Sequence, residues 1–582
     1  RAGSRAGEPR RWPSGAWQIS AAEPDLQFGG NRAGVSASAT TNQQFSTTRD
    51  LVFRAGNNPN AYVLVNATTS QNLEAYQDII LDGGDAAGAY VAVRAGASQN
   101  TFASRDTVLA AGGGAGSFVE LKATNAQYVQ SYRDIRLLAG GTGAYAEMRS
   151  GSSQDIGSSL TDHVDLIGGN AADAHAGLFA ATAQTVRSQF GIRVQAGNGA
   201  RSDAVIEGDQ SVSTSGTLDV IGGAGADAGN LSVARITNTG PSTSQSIGAG
   251  TITVSAPSAY GEARIDSLST GGQSISASSV QVSSGASGSK ARIYNQAGMQ
   301  TLSLGQDGQG VSLRVAALGG GTASVESGGD QRLSAPGKGV IGDPAALGSA
   351  WLRAVNLDAV IGSLAVLGGA GGGANAKIDA TQQLVISTLR GGTQLKAGLG
   401  GTASIDPTIL SLATNGALDV IAEGVGASIT GDEVKVVATA GNLSLVGGSG
   451  GNADARIAAL GGTVAPVIAS SGNVVLTQGS GANADALLDN LTGLTGSILL
   501  GGNCVNCGNT VNTPNQPDAA LLGGFVIGGA ITVGPASVTD LPLQFDPTSQ
   551  TLALLLNANQ TEEGAKVDET DPRRKKGTGK CS

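Results

Sequence analysis

The chain has 582 residues, 91 of them glycine, and only 3% are aromatic and 14% charged. Glycine at about twice its usual share argues against ordinary globular domains, while 40% apolar content argues against a disordered chain. A net charge of −10 disfavours nucleic acid and anionic membrane as partners for the body, and no stretch reaches the ~20 uninterrupted apolar residues of a membrane helix.

Residues 1–26 read as a lead-in or cap. Arg1 to Arg11 carry charge without an apolar run, unlike a signal peptide. A repeat begins at residue 27. Gly-rich turns fall at Gly29, Gly56, Gly83, Gly112, Gly140, Gly168, Gly197 and Gly222, in steps of 25 to 29 residues. Other residue types keep the same beat. Gln43, Gln71, Gln99 and Gln127 are each 28 apart, and Gln154, Gln184 and Gln210 follow with small slips. Asp50, Asp78, Asp106, Asp134 and Asp162 are each 28 apart. Tyr62, Tyr90 and Phe118 are 28 apart, with Tyr145 one residue early. Several residue types in one register exclude glycine bias as the cause. Residues 27–304 are therefore regular coils. The beat blurs over 305–362, which reads as irregular coils or an insertion. Over 363–535 the coils resume and end in a cap; 536–582 read as a C-terminal segment with a disordered charged tail carrying Cys581.

Within each repeat, runs such as Tyr90 to Arg94 and Phe118 to Lys122 alternate with period two, the pattern of a strand with one buried face. Val91, Val93, Val119 and Leu121 point inward, and Glu120 and Lys122 point out. A unit of this size cannot bury its own inner face, so it must stack on the next. The expectation is an all-β fold: a right-handed parallel β-helix, or β-solenoid, with about 27–28 residues and three short strands per coil. Eighteen to twenty coils would give a rod on the order of 90 Å. The Gln column is expected to form an amide ladder.

Candidate chemistry is sparse. There are two histidines. His163, between Asp162 and Asp165, reads as an exposed side chain where the register slips. No nucleophile elbow is followed by an acid and a histidine, so no catalytic residue is assigned and no cofactor is implied. The Asp50, Asp78, Asp106, Asp134 and Asp162 column is a weak calcium candidate, since stacked carboxylates repel unless offset; Arg49, Arg105 and Arg133 could offset it. Tyr62, Tyr90, Phe118 and Tyr145 point outward. They either stabilise neighbouring coils by ring stacking or offer a surface to a glycan, a partner chain or another filament. Tyr76 and Tyr132 suggest a second stripe. The lone pair Cys504 and Cys507 favours a local disulfide over a redox or metal site.

The Gly/Ala-rich coils, the Gly447 to Ile457 segment and the basic Cys-bearing end resemble the filamentous-haemagglutinin-like surface proteins of Gram-negative bacteria. The resemblance covers roughly 27–535. It implies a secreted, cell-surface protein exported by a partner pore in the outer membrane (two-partner secretion), acting as an adhesin or extracellular filament component. Cell-surface glycans, matrix or copies of itself are the partners it implies. Asn58-Pro59-Asn60 matches a motif of that family's secretion domain, although it occupies an ordinary repeat turn. Two alternatives stand beside this reading: a calcium-dependent solenoid, and a β-helix carbohydrate-active enzyme, lyase or hydrolase, using Asp307, Asp330, Arg332, Asp343 and Arg353.

Overall fold

A computed structural model describes residues 17–21, 25–29, 34–305, 310–507, 522–523 and 525–530. The chain divides into two units, 1–531 and 532–582; the second, with Cys581 and the charged tail, lies outside the described residues, as do residues 1–16 and Asp307.

Short alternating runs leave the backbone one way to satisfy its polar groups, which is pairing with the same run one coil away. Among the described residues each of the 46 strands does this, pairing in parallel with its counterpart in a neighbouring coil. Gln99 stands opposite Gln71 on one side and Gln127 on the other. The result is an all-β solenoid of about 17 turns, with no helix among the described residues. At ~4.8 Å per coil the stack is on the order of 80 Å high, slightly shorter than the eighteen to twenty coils expected.

Three sides repeat through the early coils. The glutamine sheet comprises Gln43–Thr47, Gln71–Ala75, Gln99–Ala103 and Gln127–Ser131. The third sheet comprises Asp50–Arg54, Ile79–Asp82, Thr107–Ala110 and Asp134–Leu138. The aromatic sheet comprises Tyr62–Ala67, Tyr90–Ala95, Phe118–Ala123 and Tyr145–Ser150. From His175–Ser188 onward one long strand often serves both the aromatic and the glutamine sides, because the turn between them shortens to a register shift between Phe179 and Ala183. The 19-residue strand Ser349–Leu367 runs along all three sides. Residues 311–342 continue the same parallel stack, with register shifts between Val311 and Leu313 and between Ala335 and Lys338.

The core is one column of Val, Leu, Ile and Ala. Leu73, Leu81, Val91, Val93, Leu109, Leu121 and Leu137 are all fully buried, each worth roughly 1.5–3 kcal/mol. Near its N-terminal end the column is aromatic: Phe28, Phe45 and Phe53 pack with ring centroids 5.2–5.7 Å apart.

Glycine serves two kinds of corner and is sterically required at the first. A Cβ on Gly112 would lie 1.8 Å from the Gly84 carbonyl oxygen of the coil beneath. A second corner keeps one left-handed position in successive coils: Asn60, Gly88, Gly116, Gly143, Asp173 and Arg201, with φ between 54° and 67°. A Cβ on Gly116 would meet nothing within 4 Å. Gly116→Ala should therefore cost about 1–2 kcal/mol, the left-handed penalty alone, whereas Gly112→Ala must also displace a neighbouring coil. Denaturant midpoints of the two variants test this ranking, and equal midpoints contradict it.

Candidate functional site

The glutamine sheet owes its register to a buried ladder. Gln71 Nε2 donates to Gln43 Oε1 at 2.8 Å, Gln99 to Gln71 at 2.7 Å, and Gln127 to Gln99 at 2.7 Å. The ladder continues through Gln154, Gln184, Gln210, Gln245, Gln273 and Gln300 to Gln331. Gln127 also donates to the Leu121 carbonyl at 2.9 Å and Gln210 to the Ile206 carbonyl at 2.7 Å. Gln245 and Gln331 fall 35 and 31 residues after the glutamine before them and so break the 28-residue beat, but Gln245, Gln273, Gln300 and Gln331 are each followed two residues later by Ile or Leu, as Gln71 is. That shared pattern was the available signal. The ladder stops where Leu357 replaces glutamine opposite Gln331, and Leu384, Leu410 and Val434 then carry the position in apolar form. Among the described residues, Gln43 Nε2 and Gln331 Oε1, the two ends, have no hydrogen-bond partner.

On the aromatic sheet Tyr62, Tyr90, Phe118 and Tyr145 stack nearly parallel, with centroids 5.5, 4.6 and 4.7 Å apart. His175 continues the column 5.2 Å from Tyr145, a member that its residue type concealed. The ring faces are spent on one another, so the column presents edges to solvent. At the other end the Tyr62 ring lies over Gly34, where a Cβ would stand 1.9 Å from it and the ring would have to move. Beside the rings, Glu120 and Glu147 are buried under their partners. Arg94 lies 2.6 Å from Glu120, Arg149 2.9 Å from Glu147, and His175 Nε2 2.7 Å from Glu147 Oε1. Burial raises the Glu147 carboxyl, but His175 and Arg149 outweigh it and the net shift is downward. Burial and the nearby Glu120 and Glu147 carboxylates push the Tyr145 phenol up to about 12.

The aspartates of the third sheet are committed within the stack. The backbone N–H of Asp78 donates to Asp50 Oδ1, that of Asp106 to Asp78 Oδ1 and that of Asp134 to Asp106 Oδ1, at 3.1–3.2 Å. Arg105 and Arg133 each pair with the aspartate of the coil below, at 3.6 and 3.5 Å. Burial raises the Asp78 carboxyl, against the Asp106 N–H and Arg105. Asp162 does not join the column. The strand slips by one, and His163 stands opposite Asp134, its Nδ1 3.2 Å from Asp134 Oδ1. Among the described residues no three His, Cys, Asp or Glu side chains cluster to hold a metal.

The candidate residues Asp330, Arg332, Asp343 and Arg353 find partners from coil to coil instead of converging. Arg332 pairs with Asp358 at 3.8 Å, Arg353 with Asp379 at 3.1 Å and Arg314 with Asp343 at 2.5 Å, while Asn356 donates to Asp330 at 2.8 Å. Cys504 and Cys507 form a disulfide.

A trough of about 870 Å³ runs along the outer face of the glutamine sheet, over Gln43 to Gln154. It exists because glutamine points inward while both its neighbours point out. The residue before it is small, as in Ser70, Ser98, Ala126 and Ser153. The residue after it forms the second wall: Gln44, Asn72, Asn100, Tyr128, Asp155 and Thr185. This wall continues as Ser211, Ser246, Ser274 and Thr301 before Arg332 interrupts it. Asn100 Nδ2 donates to Asn72 Oδ1 at 3.2 Å, and the Tyr128 hydroxyl to Gln130 Oε1 at 2.5 Å. Farther along the same strands, Phe102 meets Tyr132 edge-on at 5.4 Å. Tyr76, Tyr128 and Tyr132 are 62%, 38% and 43% exposed.

No family model, curated protein or solved structure matches the chain.

Removing one rung orphans two buried groups, the Gln71 Oε1 and one bond of the Gln127 amide. Gln99→Leu should cost about 1–3 kcal/mol for each, read as a lower denaturant midpoint; an unchanged midpoint contradicts the ladder's role. For Tyr145, a raised phenol pKa means that the native state holds its proton more tightly. Its stabilising effect is complete below pH ~10, the ordinary tyrosine range, and is lost as pH rises towards about 12. Burial also raises the Tyr90 and Tyr128 phenols, so absorbance titration near 295 nm should show several late tyrosinates, the last of them absent in Tyr145→Phe.

Proposed function

We propose that the chain is a secreted or cell-surface structural and adhesive solenoid, a filamentous-haemagglutinin-like component of the outer surface of a Gram-negative bacterium. The observation that carries this reading is the Gln43 to Gln331 ladder and the core beside it, which hold an extended face in one register. Such a face offers many repeated contacts, and repeated weak contacts give adhesion its strength through effective concentration. The resemblance of the Gly/Ala-rich coils to that family supports the same reading. Export through an outer-membrane pore belongs to the proposal. No helix among the described residues is long and apolar enough to cross a membrane.

Beads coated with the full chain should hold to one another, or to matrix- or cell-coated surfaces, under flow at least tenfold better than beads coated with an unrelated protein. Equal retention refutes the adhesive reading. Release of new reducing ends from polysaccharide by the same preparation would favour a carbohydrate-active enzyme instead.

A further inference from the structure

We infer that the trough over the glutamine ladder is a binding site for an uncharged, extended polysaccharide lying parallel to the solenoid axis. The inference rests on the adhesive reading and names its partner. Four observations carry it. First, the trough is neutral: of Gln44, Asn72, Asn100, Tyr128, Asp155 and Thr185, only Asp155 can carry charge. The aromatic sheet, by contrast, is laced with ion pairs such as Arg94–Glu120 and Arg149–Glu147. A polyanion would find no unpaired cation in the trough and would meet a chain of net charge −10.

Second, the wall presents amides and hydroxyls. These both donate and accept, as sugar hydroxyls do. Third, the spacing fits. An extended β-1,4-linked glycan advances by roughly 5 Å per sugar, close to the ~4.8 Å strand spacing, so each sugar would lie over about one coil. A polypeptide, at ~3.3 Å per residue, falls out of step, and the parallel pairing leaves no sheet edge along the trough for it to extend. Fourth, the wall carries an aromatic ring that its own stack leaves exposed. Tyr128 stands exposed in mid-trough, with Tyr132 and Tyr76 farther along the same face. Aromatic rings of this kind are the usual apolar partner for the C–H face of a sugar.

The test is calorimetric titration of the full chain with cellohexaose, chitohexaose, laminarihexaose and dextran sulfate. At least one neutral hexasaccharide should bind. The Asn100→Ala/Tyr128→Ala double variant should weaken that binding at least tenfold, whereas Tyr128→Phe, which keeps the ring, and Arg54→Ala, on the third sheet, should stay within threefold of the parent. Circular dichroism checks that each variant keeps its strand content; should the double variant lose it, Asn72→Ala and Tyr128→Ala singly serve the same purpose. The inference is overturned if no neutral hexasaccharide binds, if dextran sulfate alone binds, or if binding survives the trough variants. It is equally overturned if those variants abolish only association between copies of the chain. Adhesion of coated beads without sugar binding leaves the adhesive reading standing and removes this one. Sugar binding without adhesion does the reverse.

Discussion

Parallel stacking in register governs this molecule: nearly every side chain meets, one coil away, the side chain at the equivalent position. A residue type is tolerated only if it can lie against itself or against what the next coil supplies. Aliphatic residues satisfy this by dispersion and exclusion of water. Glutamine satisfies it because a primary amide is both donor and acceptor. Flat rings satisfy it because an offset stack suits the strand spacing. Aspartate does not satisfy it unaided, and the third sheet shows two remedies. Each carboxylate accepts from the backbone N–H of the next coil, and arginines reach down from the turn.

The same constraint explains the change near residue 357. The inward position at the start of the glutamine sheet accepts either a polar ladder or an apolar one, but a mixture leaves an amide facing a methyl group. The unpartnered Gln331 Oε1 opposite Leu357 is that junction. Polar rungs align the coils strictly because an amide displaced by one residue loses its bonds. Leucine rungs carry no directional bond of this kind.

Much of the architecture was legible in the residues. A beat of 28 shared by Gln71, Asp78 and Tyr90 has few explanations other than a coil, and alternation at Val91 and Val93 assigns the inner face. Counting failed where loops change length. The 35 residues between Gln210 and Gln245 hide a direct hydrogen bond, and Asp162 keeps the beat while His163 holds the place opposite Asp134. The outward direction of Tyr62 and Tyr90 was readable, but direction does not reveal that stacking occupies their faces. The trough left no trace in composition, because its wall passes from amide to phenol to carboxylate to hydroxyl, and its depth comes from the size of the residue before each glutamine.

The glutamine ladder is also directional. Every Nε2 hands its hydrogen to the oxygen of the coil before it, from Gln331 back to Gln43. Aligned amides add their dipoles, and each bond polarises the next. The row therefore has chemically distinct termini, an N–H at one and a lone pair at the other. Reversing any interior amide would set like poles together at two rungs. The orientation chosen at the first rung thus propagates through the whole row, so that the ladder acts as a single electrostatic unit spanning many coils.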